Sequence, residues 1–323
     1  MTTSLPQGTP DRAPHTSPAF PPGFRAALSL TFDADAETAV LVPKPSGWND
    51  AMAMTHQAFG PKVGIPRLMR ILAEEDVRAT FFVPGWTARR YPTLVATLME
   101  AGHEIAHHSD LHVPAPQMTK DEERRDFERA LDTLRSQGAD VRGYRAAWWQ
   151  ATWHTLDLLA EHGLSYDSSL MDDDRPYVLR IGGHRLAELP PHWSLDDWEQ
   201  YAFLPDPMIG SNIEPPSKVL ELWRCELDAQ RKEGGLVVGT MHPFLSGRAS
   251  RAEVLREIIR YARSCGDVWI APLGEIADAT LASPDIAERV PDIPDLSLGP
   301  YYPDGHPGAH PCAHPEPETL QTP

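Results

Sequence analysis

Ala26-Ala27-Leu28-Ser29-Leu30-Thr31-Phe32-Asp33-Ala34-Asp35-Ala36-Glu37 reads as a β-strand that ends in two carboxylates. The run 26–30 is apolar, and Asp33 and Asp35 emerge one residue apart where it stops. Two ionised carboxylates this close repel each other unless a cation compensates them. A metal ion and a buried arginine are the usual compensators, and the chain has candidates for both. His108 and His112 form a candidate metal pair, Arg145 is a candidate arginine, and His242 is a candidate proton donor. Each lies just past another strand-like run.

Those runs alternate with helical patterns through the middle of the chain. Strands are predicted over residues 26–32, 78–83, 103–107, 143–146, 186–189, 235–241 and 268–271. Helices are predicted over 65–75, 92–101, 120–137, 152–162, 217–232 and 252–264, with a last one after Leu273. In the charged 120–137 segment, Phe127, Ala130, Leu131 and Leu134 fall on one inward face. Repeated strand–helix alternation predicts parallel strands with helices outside. With about seven repeats the expected fold is α/β, an irregular (β/α) barrel, closed or nearly closed, in one domain. No Gly-rich dinucleotide loop follows the first strand, which argues against a Rossmann sheet.

At 323 residues the chain is long enough for one large core. Its formal net charge of −17 argues against nucleic acid and anionic membrane surfaces as partners. It has three widely spaced cysteines, Cys225, Cys265 and Cys312, which imply neither a disulfide framework nor a zinc ribbon. No apolar run approaches a membrane span, and residues 1–23 lack the apolar core of a signal peptide, so the expected location is the cytoplasm. The Pro-rich segment 1–23 is read as a disordered arm, 24–282 as the catalytic domain and 283–323 as a Pro- and His-rich disordered tail. His306, His310, Cys312 and His314 of that tail are read as incidental rather than as a metal site.

In a barrel the active site lies at the C-terminal ends of the strands. Asp33, Asp35, His107, His108, His112, Arg145 and His242 all fall there, so residues far apart in sequence converge on one rim. His108 and His112 are four residues apart, a spacing that places both on one face of a helical turn. With Asp35 they make a His₂-carboxylate set that suits one divalent ion, zinc foremost, with Co²⁺, Ni²⁺ and Fe²⁺ also suited. His107 is an alternative ligand that would point off the shared face.

The combination resembles the polysaccharide deacetylase family of metal-dependent carbohydrate esterases. Thr31–Asp35 resembles the family's Thr-Phe-Asp-Asp-Gly turn, and His108-Ser109 with His112 resembles its His-Ser/Thr-x-x-His pair. Tyr144-Arg145-Ala146-Ala147-Trp148 is similar to its arginine motif, and Thr240-Met241-His242-Pro243 to its late histidine. Ala34 between the aspartates, Ala147 in place of a proline and His107 in place of an asparagine depart from the common pattern. The stretches 166–171, 188–198 and 242–248 look like one branch, which resembles unexported peptidoglycan-deacetylase-like proteins, allantoinase-like enzymes and cyclic imide hydrolases.

The resemblance implies a hydrolase of a non-peptide carbon–nitrogen bond. Asp33 is the expected base, paired with Arg145, and His242 the expected acid. Asp35, His108 and His112 are the expected metal ligands. Trp148, Trp149, Trp193, Asp197 and Trp198 are grouped as the substrate wall, and either Asp196 or Asp197 orients His242. The expected substrate is an N-acetyl sugar or a similar small acylated compound. A cyclic imide or ureide is the alternative, and a non-catalytic binding protein a second one. A homo-oligomer is left open.

Overall fold

The computed structural model describes residues 19–293, so the tail histidines and Cys312 lie outside the described residues. Twelve strands are formed: β1 (Ala26–Asp33), β2 (Thr80–Val83), β3 (Glu104–His107), β4 (Gly143–Tyr144), β5 (Tyr166–Asp167), β6 (Tyr177–Ile181), β7 (His184–Glu188), β8 (Leu204–Pro205), β9 (Met208–Ile209), β10 (Leu236–Met241), β11 (Val268–Ile270) and β12 (Glu288–Arg289). The main sheet runs β10-β1-β2-β3-β4-β5-β7-β6-β12, with β11 also paired to β1. All its pairings are parallel except β6–β7. This is the irregular β/α barrel expected, but among the described residues its hydrogen bonds do not close into a ring. An isolated bridge between Asp196 and Thr240 lays the 196–197 segment along the free side of β10.

Every residue of β1 is buried, as a central parallel strand requires. Side-chain alternation then splits it. Ala26, Leu28, Leu30 and Phe32 join the large cluster between sheet and helices, whereas Ala27 joins the barrel interior with Phe82, Ala106 and Val238. Ser29, Thr31 and Asp33 share the interior face by parity, which is how the rim acquires its first carboxylate.

The helices follow their apolar faces. Lys120–Ser136 starts in a capping box made by Thr119 and Glu122 and buries Phe127, Ala130, Leu131 and Leu134. Helices at Pro216–Glu233 and Ala249–Cys265 end on Gly234 and Gly266 in the left-handed conformation, where a glycine carries no Cβ penalty. Among the described residues, no helix is long and apolar enough to cross a membrane.

Both expected tail boundaries move. Ala19 and Phe20 are buried, and Phe20 meets Trp269 edge-on at 6.3 Å, so the arm does not extend to residue 23. At the other end β12 pairs with β6, so the ordered domain runs past 282. The helix Leu273–Ala282 and Phe20 plug the end of the barrel where the strands begin. Phe20→Ala should therefore lower stability by about 3 kcal/mol, read as a shifted midpoint in equilibrium denaturation.

Candidate active site

Asp33 is the last residue of β1, and Arg145 follows β4. The Arg145 guanidinium is fully buried, with Nη1 donating to Asp33 Oδ1 at 2.6 Å and to Thr31 Oγ1 at 3.0 Å. Nη2 donates to Ser168 Oγ at 3.3 Å, and the group lies 4.0 Å over the Phe82 ring. Such a pair fixes the carboxylate's direction, and breaking it would strand a buried charge.

Asp35 lies just beyond, also buried, and neither of its carboxylate oxygens has a hydrogen-bond partner. Its Oδ1 is 3.3 Å from His108 Nε2 and 3.5 Å from His112 Nε2, and its Oδ2 is 3.5 Å from His242 Nε2. Burial alone would raise this carboxyl, but His112, His108 and His242 together hold it well below the usual carboxylate range. Donor atoms of Asp35, His108 and His112 all lie within 4.8 Å of one another.

The two histidines do not share a helical turn, contrary to the spacing argument. Residues 108–112 form a loop in which Ser109 and His112 have φ of 56° and 61°. That sparsely populated backbone is held by its surroundings. Asp126 of the Lys120–Ser136 helix accepts from the amides of Asp110 at 2.8 Å and Leu111 at 3.1 Å. Arg89 grips the Asp110 carboxylate through both oxygens at 2.6 and 2.9 Å. Strand parity decides between His107 and His108. His107 points away from the barrel, stacks on Phe127 at 4.4 Å and donates from Nε2 to the Phe127 carbonyl at 2.8 Å. Burial pushes it down to about 3, so it stays neutral.

His108 donates from Nδ1 to the Arg145 carbonyl at 2.8 Å, which leaves Nε2 free toward Asp35. Burial lowers His108, yet Asp33 and Asp35 raise it above the ordinary value. Burial pushes His112 down to about 4 despite the pull of Asp35.

His242 follows β10 and closes the opposite side. Its Nδ1 is 2.7 Å from Asp197 Oδ1, and its backbone amide donates to both oxygens of Asp197 at 3.0 Å. Ser246 also donates to that carboxylate. Asp197 is fully buried beneath His242 and does not line the cavity, so its place in the substrate wall is corrected. It resolves the choice left open between the two aspartates. Asp196 Oδ1 is 3.4 Å from Nδ1 and instead accepts from the Trp198 amide at 2.8 Å. Burial would lower His242, but Asp196, Asp197 and Asp35 push it well above the ordinary histidine value.

Trp148, Trp149, Trp193 and Trp198 all line the resulting small cavity. Trp149 meets Trp193 edge-on at 4.6 Å, and Trp148 meets Trp198 at 5.1 Å. Trp148 and Trp149 both have φ above 50°, so the turn that carries them is strained like the histidine loop. Glu199 lines the cavity too, a residue the sequence reading passed over although it adjoins Trp198.

A family model described as polysaccharide deacetylase matches residues 50–166. A solved structure of a Mycobacterium smegmatis protein assigned to the polysaccharide deacetylases is 46% identical, covers 88% of this chain and 98% of its own, and superposes with a TM-score of 0.83. This chain belongs to the polysaccharide deacetylase family. Like the family's members it is a hydrolase acting on amide bonds other than peptide bonds. The peptidoglycan deacetylase of Helicobacter pylori is 27% identical over 68% of this chain and 84% of its own. The solved structure of a Puue allantoinase shares the fold, with a TM-score of 0.73 at 22% identity over 86% of this chain and 99% of that one. The matched stretch 50–166 contains His108, His112 and Arg145, whereas Asp33, Asp35 and His242 reach the same pocket from outside it.

Proposed function

We propose that this chain is a metal-dependent N-deacetylase that removes the acetyl group from an N-acetyl sugar or a similar small compound. The two unpartnered, buried oxygens of Asp35 amid imidazoles carry the metal reading. A buried carboxylate left without hydrogen bonds is unfavourable, and a divalent cation at this point satisfies it. Asp35, His108 and His112 are the residues that would hold it, and zinc is the foremost ion for such a donor set. Such an ion supplies Lewis acidity, polarising a carbonyl and making water easier to deprotonate. Asp33, aimed by Arg145, takes a proton from the attacking water. His242 delivers one from Nε2 to the departing nitrogen, with Asp197 holding Nδ1. The tryptophans orient the substrate by stacking on its ring.

The same wall favours a second reading, because four indoles around a small cavity also suit a flat imide or ureide ring. Acetate release from N-acetyl sugars, set against ring opening of hydantoin- and succinimide-type compounds, separates the two. Each is measured after chelation and again after reloading with Zn²⁺ or Co²⁺. Ring opening without acetate release would install the second reading. Neither reaction in the reloaded protein would remove both.

The clamp on the histidine loop supplies a further expectation. Asp126→Ala frees two amides of a strained loop, so metal affinity should fall roughly 10–100-fold. Competition with a chromogenic chelator reads this directly, and unchanged affinity would show that Arg89 suffices.

A further inference from the structure

Asp167 ends β5 and Glu188 ends β7, and the two are paired across the parallel ladder. Both are fully buried. Strand parity puts them in the layer between sheet and helices, opposite the interior face that carries Tyr166 and Ala187. Their carboxyl groups lie within hydrogen-bonding reach of each other. Asp167 Oδ2 and Glu188 Oε2 have no other partner, a state that two ionised carboxylates could not tolerate.

The remaining oxygens are occupied. Glu188 Oε1 accepts from the amides of Ser169 at 3.2 Å and Leu170 at 3.1 Å. Asp167 Oδ1 accepts from Ser169 Oγ at 2.7 Å, and that same hydroxyl accepts from the Ala146 amide at 2.9 Å. Ala146 begins the strained turn that carries Trp148 and Trp149.

Few charges face the pair. Tyr144 of β4 is paired with Asp167, and Tyr177 of β6 with Glu188. The helix Trp153–Glu161, packed on β6 and β7, buries Thr155, Leu156, Leu158 and Leu159, none of which titrates. Arg145 is a cation that acts on Asp167, and it is already bound to Asp33.

We propose that Asp167 and Glu188 share one proton and, as one hydrogen-bonded unit, position the Ala146–Trp149 turn through Ser169. Glu188 Oε2–H donates to Asp167 Oδ2, which gives each of the four carboxyl oxygens at least one hydrogen-bond partner. They are positioning residues, remote from the reacting atoms. The positioning half rests on the hydrolase reading above, whereas the shared proton does not.

Glu188→Gln tests the proton, because the amide makes the same bonds without it. Burial pushes Asp167 up to about 6, and burial and the Asp167 charge push Glu188 well above the usual range. A carboxyl bound more tightly to its proton in the folded state stabilises fully below its unfolded pKa of about 4. That stability is lost as pH rises through the folded pKa. The Tm of Glu188→Gln minus that of the wild type should therefore widen by several degrees with rising pH, since only the wild type has the Glu188 proton to lose. A flat or narrowing difference overturns the shared proton, and so does a Glu188→Gln chain that fails to fold. Infrared spectra of the wild type at neutral pH should show a protonated-carboxyl band that Glu188→Gln lacks, and its absence overturns the proposal too. Ser169→Ala cuts the link to Ala146 and should lower kcat roughly tenfold while the wild-type pH slope of Tm persists. An unchanged kcat in a variant of a demonstrably active enzyme overturns the positioning half alone.

Discussion

Replacing His108 with alanine should abolish the proposed binding of a divalent ion and, with it, turnover. The three proposed donors lie within 4.8 Å of one another, and His108 is the member held on both sides, by Arg145 at Nδ1 and facing Asp35 at Nε2. Loss of a residue that merely supports a ligand costs about 10–100-fold in metal affinity, so loss of the ligand should exceed roughly 100-fold. The neighbouring His107 cannot replace it, because its ring faces the helix layer and its Nε2 is committed to Phe127. His107→Ala should thus keep the ion while losing stability from a vacated contact. Elemental analysis after dialysis compares the two variants at one stroke. Full activity after exhaustive chelation would defeat the assignment.

Asp33→Asn will lower turnover by about 10²–10⁴-fold, the usual contribution of a general base, and the ion will stay. Asp35, His108 and His112 remain in that variant. It will also be less stable by about 3–5 kcal/mol, since Arg145 is left buried without its counter-charge. His242→Ala should slow substrates with poor nitrogen leaving groups most, because a good leaving group needs little protonation. Equal losses for good and poor leaving groups would make His242 a positioning group instead. Should Asp33→Asn release the metal while Asp35→Asn retains it, the two aspartates would have exchanged roles. Ala34 makes that worth testing, since it sets their spacing.

Much of this site was legible before any coordinates. Asp33, Arg145 and His242 each terminate an apolar run, and in a barrel every such end lies on the same rim. The glutamate at 199 was missed because no pattern marks a side chain that reaches a cavity from a one-turn helix. The short strands β5 and β12 were missed for a related reason. Two residues cannot show a period, and they are strands only because longer neighbours offer them a ladder.

The amino-acid sequence by itself determined the alternation of strand and helix, the family, and the set of residue types gathered at the rim. Those are local or additive properties, carried by apolar periodicity and by short motifs. Tertiary structure alone decided that the ladder stays open among the described residues, that His108 and His112 converge through strained loop backbone, and that Asp197 rather than Asp196 bonds His242 Nδ1. It also brought Asp167 and Glu188 face to face. Each of these depends on which groups from distant segments share a few ångströms of buried space, where a missing partner is expensive and a single hydrogen bond selects between neighbours in the chain.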